Sequence, residues 1–204
     1  MAVVTVTEGA EQFTCNAYLV TGERPALVDA GTMPGVESVI ADHVDRLDRV
    51  VLTHQHADHV GELDAVLDAF DADLYAYADH PRRTHALDDG DTVALGDGAF
   101  ETVYTPGHAD DHVAFVSDHT LFSGDVVVYN DGAFDDGSFG RTDMAGQSRE
   151  RLIESLETLL ARLPDSVESM YAGHGDPFHA DGDSVRDVIE RALSRAERRE
   201  PKYD

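Results

Sequence analysis

The stretch THQHADHVG, residues 53–61, places three histidines and an aspartate within the six positions 54 to 59. It runs on from RVVLT (49–53), a short apolar segment that reads as a buried strand. A solvated polar loop explains scattered polar residues. It does not explain His54, His56, Asp58 and His59 crowded together at a strand end. Histidine nitrogen is a favoured zinc ligand, and carboxylate oxygen is accepted. His54 and His56 stand two apart, so in an extended loop both can face one ion. Asp58 and His59 continue past the turn and can face a second ion beside it.

Other acid and imidazole groups occupy the same kind of place along the chain. Asp29 stands toward the end of the strand segment PALVDAG (25–31), His108 follows FETVYT (100–105), Asp125 follows TLFSG (120–124) and His174 follows VESMYAG (167–173). In layered α/β folds, ligands bind in the crevice beyond the carboxyl ends of strands. Further strands are expected at 3–7, 16–20, 74–78, 92–95 and 112–116. Helical spacing is expected from Pro34 through Leu47, from Glu62 to Phe70, along the stripe Leu152, Ile153, Leu156, Leu159, Leu160 and Leu163, and from Asp183 to Arg199. Residues 125–147 have no clear period and read as a long loop, a length that is functional or disordered in compact domains. No fixed-period repeat or internal linker is visible.

The 204 residues suit one large domain, and the 42% hydrophobic content is enough for a core. Cys15 stands alone, so no internal disulfide can form, and no activating partner for it is visible; it reads as a buried strand residue. The start lacks a basic segment followed by a long apolar run, and no stretch reaches the ~18 apolar residues of a membrane span. A cytoplasmic, membrane-free protein is expected. The net charge is −26, with 41 acidic residues, 14 arginines and the single lysine Lys202. Such a surface repels nucleic acid over long range. The composition resembles that of halophilic archaeal proteins, whose self-repulsion is screened within a few ångströms at molar ionic strength.

Five segments carry a resemblance that spans almost the whole chain: LVDAG (27–31), THQHADHVG (53–61), TPGHADDH (105–112), FSGD (122–125) and AGHGDP (172–177). In this order they resemble the metallo-β-lactamase-fold hydrolase superfamily. The resemblance implies an α/β fold, a four-layer αββα sandwich, as one domain over residues 1–204. It implies that His54, His56 and His108 hold a first metal, that Asp58, His59 and His174 hold a second, and that Asp125 bridges the two. Asp58 and Asp125 are thereby the catalytic carboxylates. Asp29 is either a turn residue before Gly31 or the hydrogen-bond partner that fixes a ligand histidine's tautomer. Two divalent transition-metal ions are implied, zinc first, with iron or manganese open. Two such ions about 3.5–4 Å apart clamp a bridging hydroxide and a substrate oxygen. The remaining histidines, at 43, 80, 85, 112, 119 and 179, match no ligand position; His43 should face solvent, and His112 is open to a supporting role.

GSFGRTDM (137–144) is similar to the loop of glyoxalase II-like thioesterases, and related persulfide dioxygenases carry a similar GRTD. Arg141 there either pairs with an aspartate or recognises a substrate carboxylate through its fork. Full-length glyoxalase II enzymes add a C-terminal helical domain, whereas 30 residues follow His174, so the resemblance is to short glyoxalase II-like proteins and the thiol carrier is open. The activity implied is hydrolysis of a small-molecule thioester. The alternatives are a mononuclear-iron persulfide dioxygenase on the same fold and a metal-binding protein without catalysis. The charge itself makes a prediction. Like charges repel across a longer Debye length in dilute buffer, so the melting temperature should rise strongly between dilute buffer and molar potassium chloride. A flat melting temperature over that range contradicts the halophilic reading.

Overall fold

Strand pairing gathers the chain into two sheets. The structure, a computed structural model, describes residues 2–200. It divides into two compact units, one up to Phe100 and the other from Glu101 onward. In the first unit, β1 (Val3–Thr5), β2 (Tyr18–Val20), β3 (Ala26–Val28), β4 (Arg49–Val51), β5 (Asp73–Ala76) and β6 (His85–Ala86) form one sheet in chain order. The first three strands are antiparallel, and each later neighbour is parallel. Parallel neighbours need a crossover. Helix α1 (Val36–Ala41) lies between β3 and β4, and α2 (Ala57–Val60) and α3 (Leu63–Phe70) lie between β4 and β5. Leu63, Val66 and Leu67 of α3 fall on one face and join Leu19, Leu27 and Ile40 in the core.

The first helix is shorter than its apolar spacing predicts. The spacing continues through Val44 and Leu47, yet α1 stops at Ala41. Residues 42–48 include Asp42, His43, Asp45 and Asp48, all poor helix formers. The sheet then claims the segment, because the Asp48 amide donates to the Pro25 carbonyl at 2.9 Å. Leu47 is buried from a loop, and His43 is exposed as expected. Helix α2 and the two-residue strands β6 and β12 (Phe178–His179) are too short to leave a periodic signal in the sequence.

The boundary between units falls inside β8 (Gly98–Tyr104). The second sheet has the order β12 (Phe178–His179), β11 (Ser169–Ala172), β10 (Thr120–Gly124), β9 (Val113–Val116), β8, β7 (Thr92–Leu95). β10 and β11 pair in parallel, and the chain between them carries α4 (Arg149–Arg162). Helix α5 (Val185–Arg198) packs on α4, and Leu152, Leu156, Leu159, Val188 and Ile189 are all fully buried in this unit's core. Side chains cap both helices: Ser148 accepts from the Arg151 amide, and Ser184 and Asp187 form a reciprocal capping box. Residues 125–147 carry no helix or strand, as the sequence predicts. Among the described residues, no helix is long and apolar enough to cross a membrane.

Candidate metal centre

In the first unit, the parallel pair β3–β4 sets Asp29 beside the start of the histidine cluster. The Asp29 amide donates to the Val51 carbonyl at 2.9 Å, so the two strand ends are hydrogen-bonded neighbours. Asp29 has φ 58, a left-handed conformation that aspartate tolerates better than most residues. Its buried carboxylate accepts three hydrogen bonds. Oδ1 accepts from the Thr53 amide at 2.8 Å. Oδ2 accepts from the Thr53 hydroxyl at 2.7 Å and from His59 Nδ1 at 2.9 Å.

Those bonds determine where the protons sit on two histidines. A carboxylate only accepts, so His59 Nδ1 carries the proton and its Nε2 keeps the lone pair. The Thr53 hydroxyl proton is committed to Asp29, so its oxygen accepts from His54 Nδ1 at 3.1 Å. His54 therefore also presents Nε2 as a lone pair. Neutral imidazole of this tautomer is the metal-binding form. His56 is the N-cap of α2 and Asp58 lies in its first turn. Ring centroids of His54 lie 4.5 Å from His56 and 4.0 Å from His59, and Asp58 Oδ2 stands 3.8 Å from His59 Nε2.

In the second unit, the parallel pair β10–β11 does the same work. The Gly173 amide donates to the Gly124 carbonyl at 2.8 Å, which puts Asp125 and His174 just past adjacent strand ends. Asp125 Oδ2 lies 3.3 Å from His108 Nε2 and 3.5 Å from His174 Nε2. His108 Nδ1 donates to the Arg141 carbonyl at 2.8 Å, so in the neutral ring Nε2 carries a lone pair. A lone pair facing a carboxylate oxygen at this distance is repulsive, and a shared cation relieves it. The donor set therefore fits a metal by its chemistry. His112 was not assignable from spacing. It is fully buried, its Nδ1 bonds to Thr105 Oγ1 at 2.8 Å, and its Nε2 accepts the Asp125 amide at 2.9 Å. It holds the backbone of Asp125 in place.

Residues 10–174 match the Metallo-beta-lactamase superfamily. The chain belongs to that superfamily. Hydroxyacylglutathione hydrolase of Aliivibrio fischeri is 32% identical over 151 residues, which is 72% of this chain and 56% of that protein. The chain thus spans about half the length of the curated relatives it matches. Among solved structures, TTHA1623 in a di-iron-bound form superimposes with a TM-score of 0.67 at 28% identity, covering 88% of this chain and 94% of that one. ETHE1 from Myxococcus xanthus gives a TM-score of 0.67 at 23% identity over 90% of this chain and 85% of its own. These likenesses carry the α/β sandwich class read from the landmarks.

In a member of this superfamily, the histidine and aspartate clusters imply a divalent metal. Arg141 is 57% exposed and its guanidinium bonds both carboxylate oxygens of Asp143 at 2.9 Å. That hydrogen bond, with the charge behind it, holds the Asp143 carboxyl below the usual carboxylate range. The ion pair is intact above that range and is lost as acid protonates Asp143 through its lowered value. Cys15 departs from its expectation in two ways. It is buried but lies outside β2, and it has neighbours, because its sulfur sits within 4.8 Å of ligand atoms of Asp29 and His59. Thr53 was missed in the sequence, since nothing in its type or spacing marks it as the partner of a ligand, whereas His112, left open to a supporting role, has one. Asp29→Ala should weaken divalent-metal binding about 10–100-fold, as loss of a ligand's hydrogen-bond partner does. Chelator competition measures this, and an unchanged affinity would show that Asp29 has no part in orienting the histidines.

Proposed function

We propose that this chain is a two-metal hydrolase of small-molecule thioesters, of glyoxalase II type, its two units acting as one domain over residues 1–204. His54, His56 and His108 hold one ion, Asp58, His59 and His174 hold the other, and Asp125 bridges them. The observation that carries the reading is the approach of His108 Nε2 and His174 Nε2 to one carboxylate oxygen of Asp125, at 3.3 and 3.5 Å. A bridging carboxylate presents its charge to donors of both sites in this way. The match over residues 10–174 supports joining the donors of the two units, and the di-iron form of TTHA1623 supports the count of two. The curated relatives' name, hydroxyacylglutathione hydrolase, supports the thioester.

Bound there, divalent ions supply an acidified water, with its pKa brought from ~15.7 toward ~7, and a Lewis acid for the carbonyl. The chain's own residues prepare that chemistry. Asp29, acting directly on His59 and through Thr53 on His54, keeps both rings as neutral Nε2 donors. Asp58 and Asp125 are the catalytic carboxylates; they add negative charge that offsets the ions and place acceptors where a water's proton can go. Cys15 is fully buried, so it is no nucleophile for a substrate in solvent. Arg141, presented on an exposed loop and steadied by Asp143, recognises a substrate carboxylate through its fork. Zinc is the ion proposed, with iron or manganese able to occupy the same donors. The protein is cytoplasmic and takes neither nucleic acid nor membrane as a partner.

Two measurements test this reading. Zinc-loaded protein in molar salt should hydrolyse a thioester, and Asp58→Ala and His174→Ala should each cut turnover on the order of a hundredfold or more, as loss of several kcal/mol of metal-based stabilisation implies. Metal binding without turnover on a thioester panel makes the protein a metal holder. Iron-dependent oxygen uptake with a persulfide, surviving both substitutions, makes it a dioxygenase instead. Arg141→Ala should lower turnover roughly tenfold or more at unchanged metal content, the scale of a lost charged hydrogen bond. Wild-type kinetics in that variant return Arg141 to a pairing role with Asp143.

A further inference from the structure

We infer that Arg149 is a positioning residue, whose buried guanidinium holds the 138–142 loop where Gly140 and Arg141 fix Asp125 and His108. The inference rests on the reading of His108 and Asp125 as metal ligands.

Arg149 sits where local structure disfavours it. It is the first residue of α4, so its cation meets the positive end of the helix dipole. It is also only 3% exposed, and burial of a charge is costly without compensation. The sequence offers solvent-facing positions along α4 that would avoid both costs. The compensation comes from the loop. Arg149 Nε donates to Thr142 Oγ1 at 3.2 Å. Its guanidinium carbon lies 5.1 Å from the centre of the Phe139 ring, within cation–π range. Its charge also acts on the Asp143 carboxylate, alongside Arg141. One side chain thus ties residues on both sides of Gly140 and Arg141.

The segment so tied makes backbone contacts with both candidate ligands. The Gly140 amide donates to the Asp125 carbonyl at 2.8 Å. The Arg141 carbonyl accepts His108 Nδ1–H at 2.8 Å, which is the bond that turns the His108 Nε2 lone pair toward Asp125. The approach leaves no slack, because a Cβ on Gly140 would lie 2.7 Å from both the Asp125 carbonyl oxygen and His108 Nδ1. Phe139 and Ser138 are buried, and Ser138 exchanges two 2.9 Å backbone hydrogen bonds with Val128. A loop anchored at Val128 on one side and by Arg149 over its middle presents Arg141's carbonyl at a fixed point. The GRT of GSFGRTDM therefore has a backbone task as well as any task of the Arg141 side chain.

The test uses metal-free and zinc-loaded full-length protein in molar salt, with histidine labelled with nitrogen-15. In the wild type, His108 should give the signature of a protonated Nδ1 in the metal-free protein. Arg149→Met keeps most of the apolar volume and removes the charge and the donor. It should convert the His108 signal to a mixture of tautomers and weaken zinc binding about 10–100-fold by chelator competition, the range for groups that orient ligands. Arg149→Lys, which restores the charge without the Nε donor, should recover part of the affinity. Should Arg149→Met fail to fold, Thr142→Val decides, since it removes only the acceptor; a smaller change in the same two readouts is expected. Folded variants with a wild-type His108 signal and wild-type zinc affinity would overturn the inference. If the wild type binds no metal through His108, the two-metal reading fails, while the metal-free His108 signal still decides the role of Arg149.

Discussion

Parallel pairing of two strand couples decides where the chemistry can sit. β3 and β4 end side by side, and so do β10 and β11. Strands of a parallel couple point their carboxyl ends the same way, so residues far apart in the chain emerge at one edge. Asp29 and His54 are separated by a crossover helix, yet Asp29 reaches the Thr53 amide and hydroxyl. Asp125 and His174 are separated by α4, yet one carboxylate oxygen stands 3.5 Å from the imidazole. An antiparallel couple would have sent each partner to the opposite edge of its sheet.

Position alone does not make an imidazole a ligand; the proton must also be on the correct nitrogen. The chain settles this with acceptors that have no proton to give or have already committed it. Asp29 controls His59 directly and His54 through the Thr53 hydroxyl, and the Arg141 carbonyl controls His108. His112 works differently. It accepts the Asp125 amide, so it fixes a carboxylate through the backbone and leaves the side-chain oxygens to face the neighbouring histidines. Burying Asp29 and Asp125 would be costly in an apolar core. Hydrogen bonds to Asp29 offset that cost within its unit, and a cation is the natural counterpart of the histidines around Asp125.

Much of this was legible in the sequence, and the remainder has identifiable physical causes. The ligand candidates stood out because the histidines cluster in one stretch, and because histidine and aspartate recur just past apolar runs. Helices α3, α4 and α5 were legible because one face of each is continuously apolar. The end of α1 was not, because Leu47 is buried by a loop and keeps the helical spacing without the helix. Thr53 and Arg149 were not legible either. Their roles depend on hydrogen bonds across 24 and 7 residues, and no local pattern encodes such partners. The place of His112, at a strand start close to His108, left a supporting role open but did not name Asp125 as its partner. Cys15 looked inert in sequence for the same reason: Asp29 and His59 come to it only through the fold.

In the proposed site two ions share the Asp125 carboxylate and draw their other donors from imidazoles and Asp58. X-ray absorption at the zinc edge, on protein loaded with two equivalents of zinc, tests it most directly. The account predicts a shell of nitrogen and oxygen at about 2.0–2.2 Å, no sulfur shell at about 2.3 Å, and a zinc–zinc distance of about 3.5–4 Å. A single isolated zinc with no metal–metal feature, or a sulfur shell that brings Cys15 in as a ligand, would contradict it.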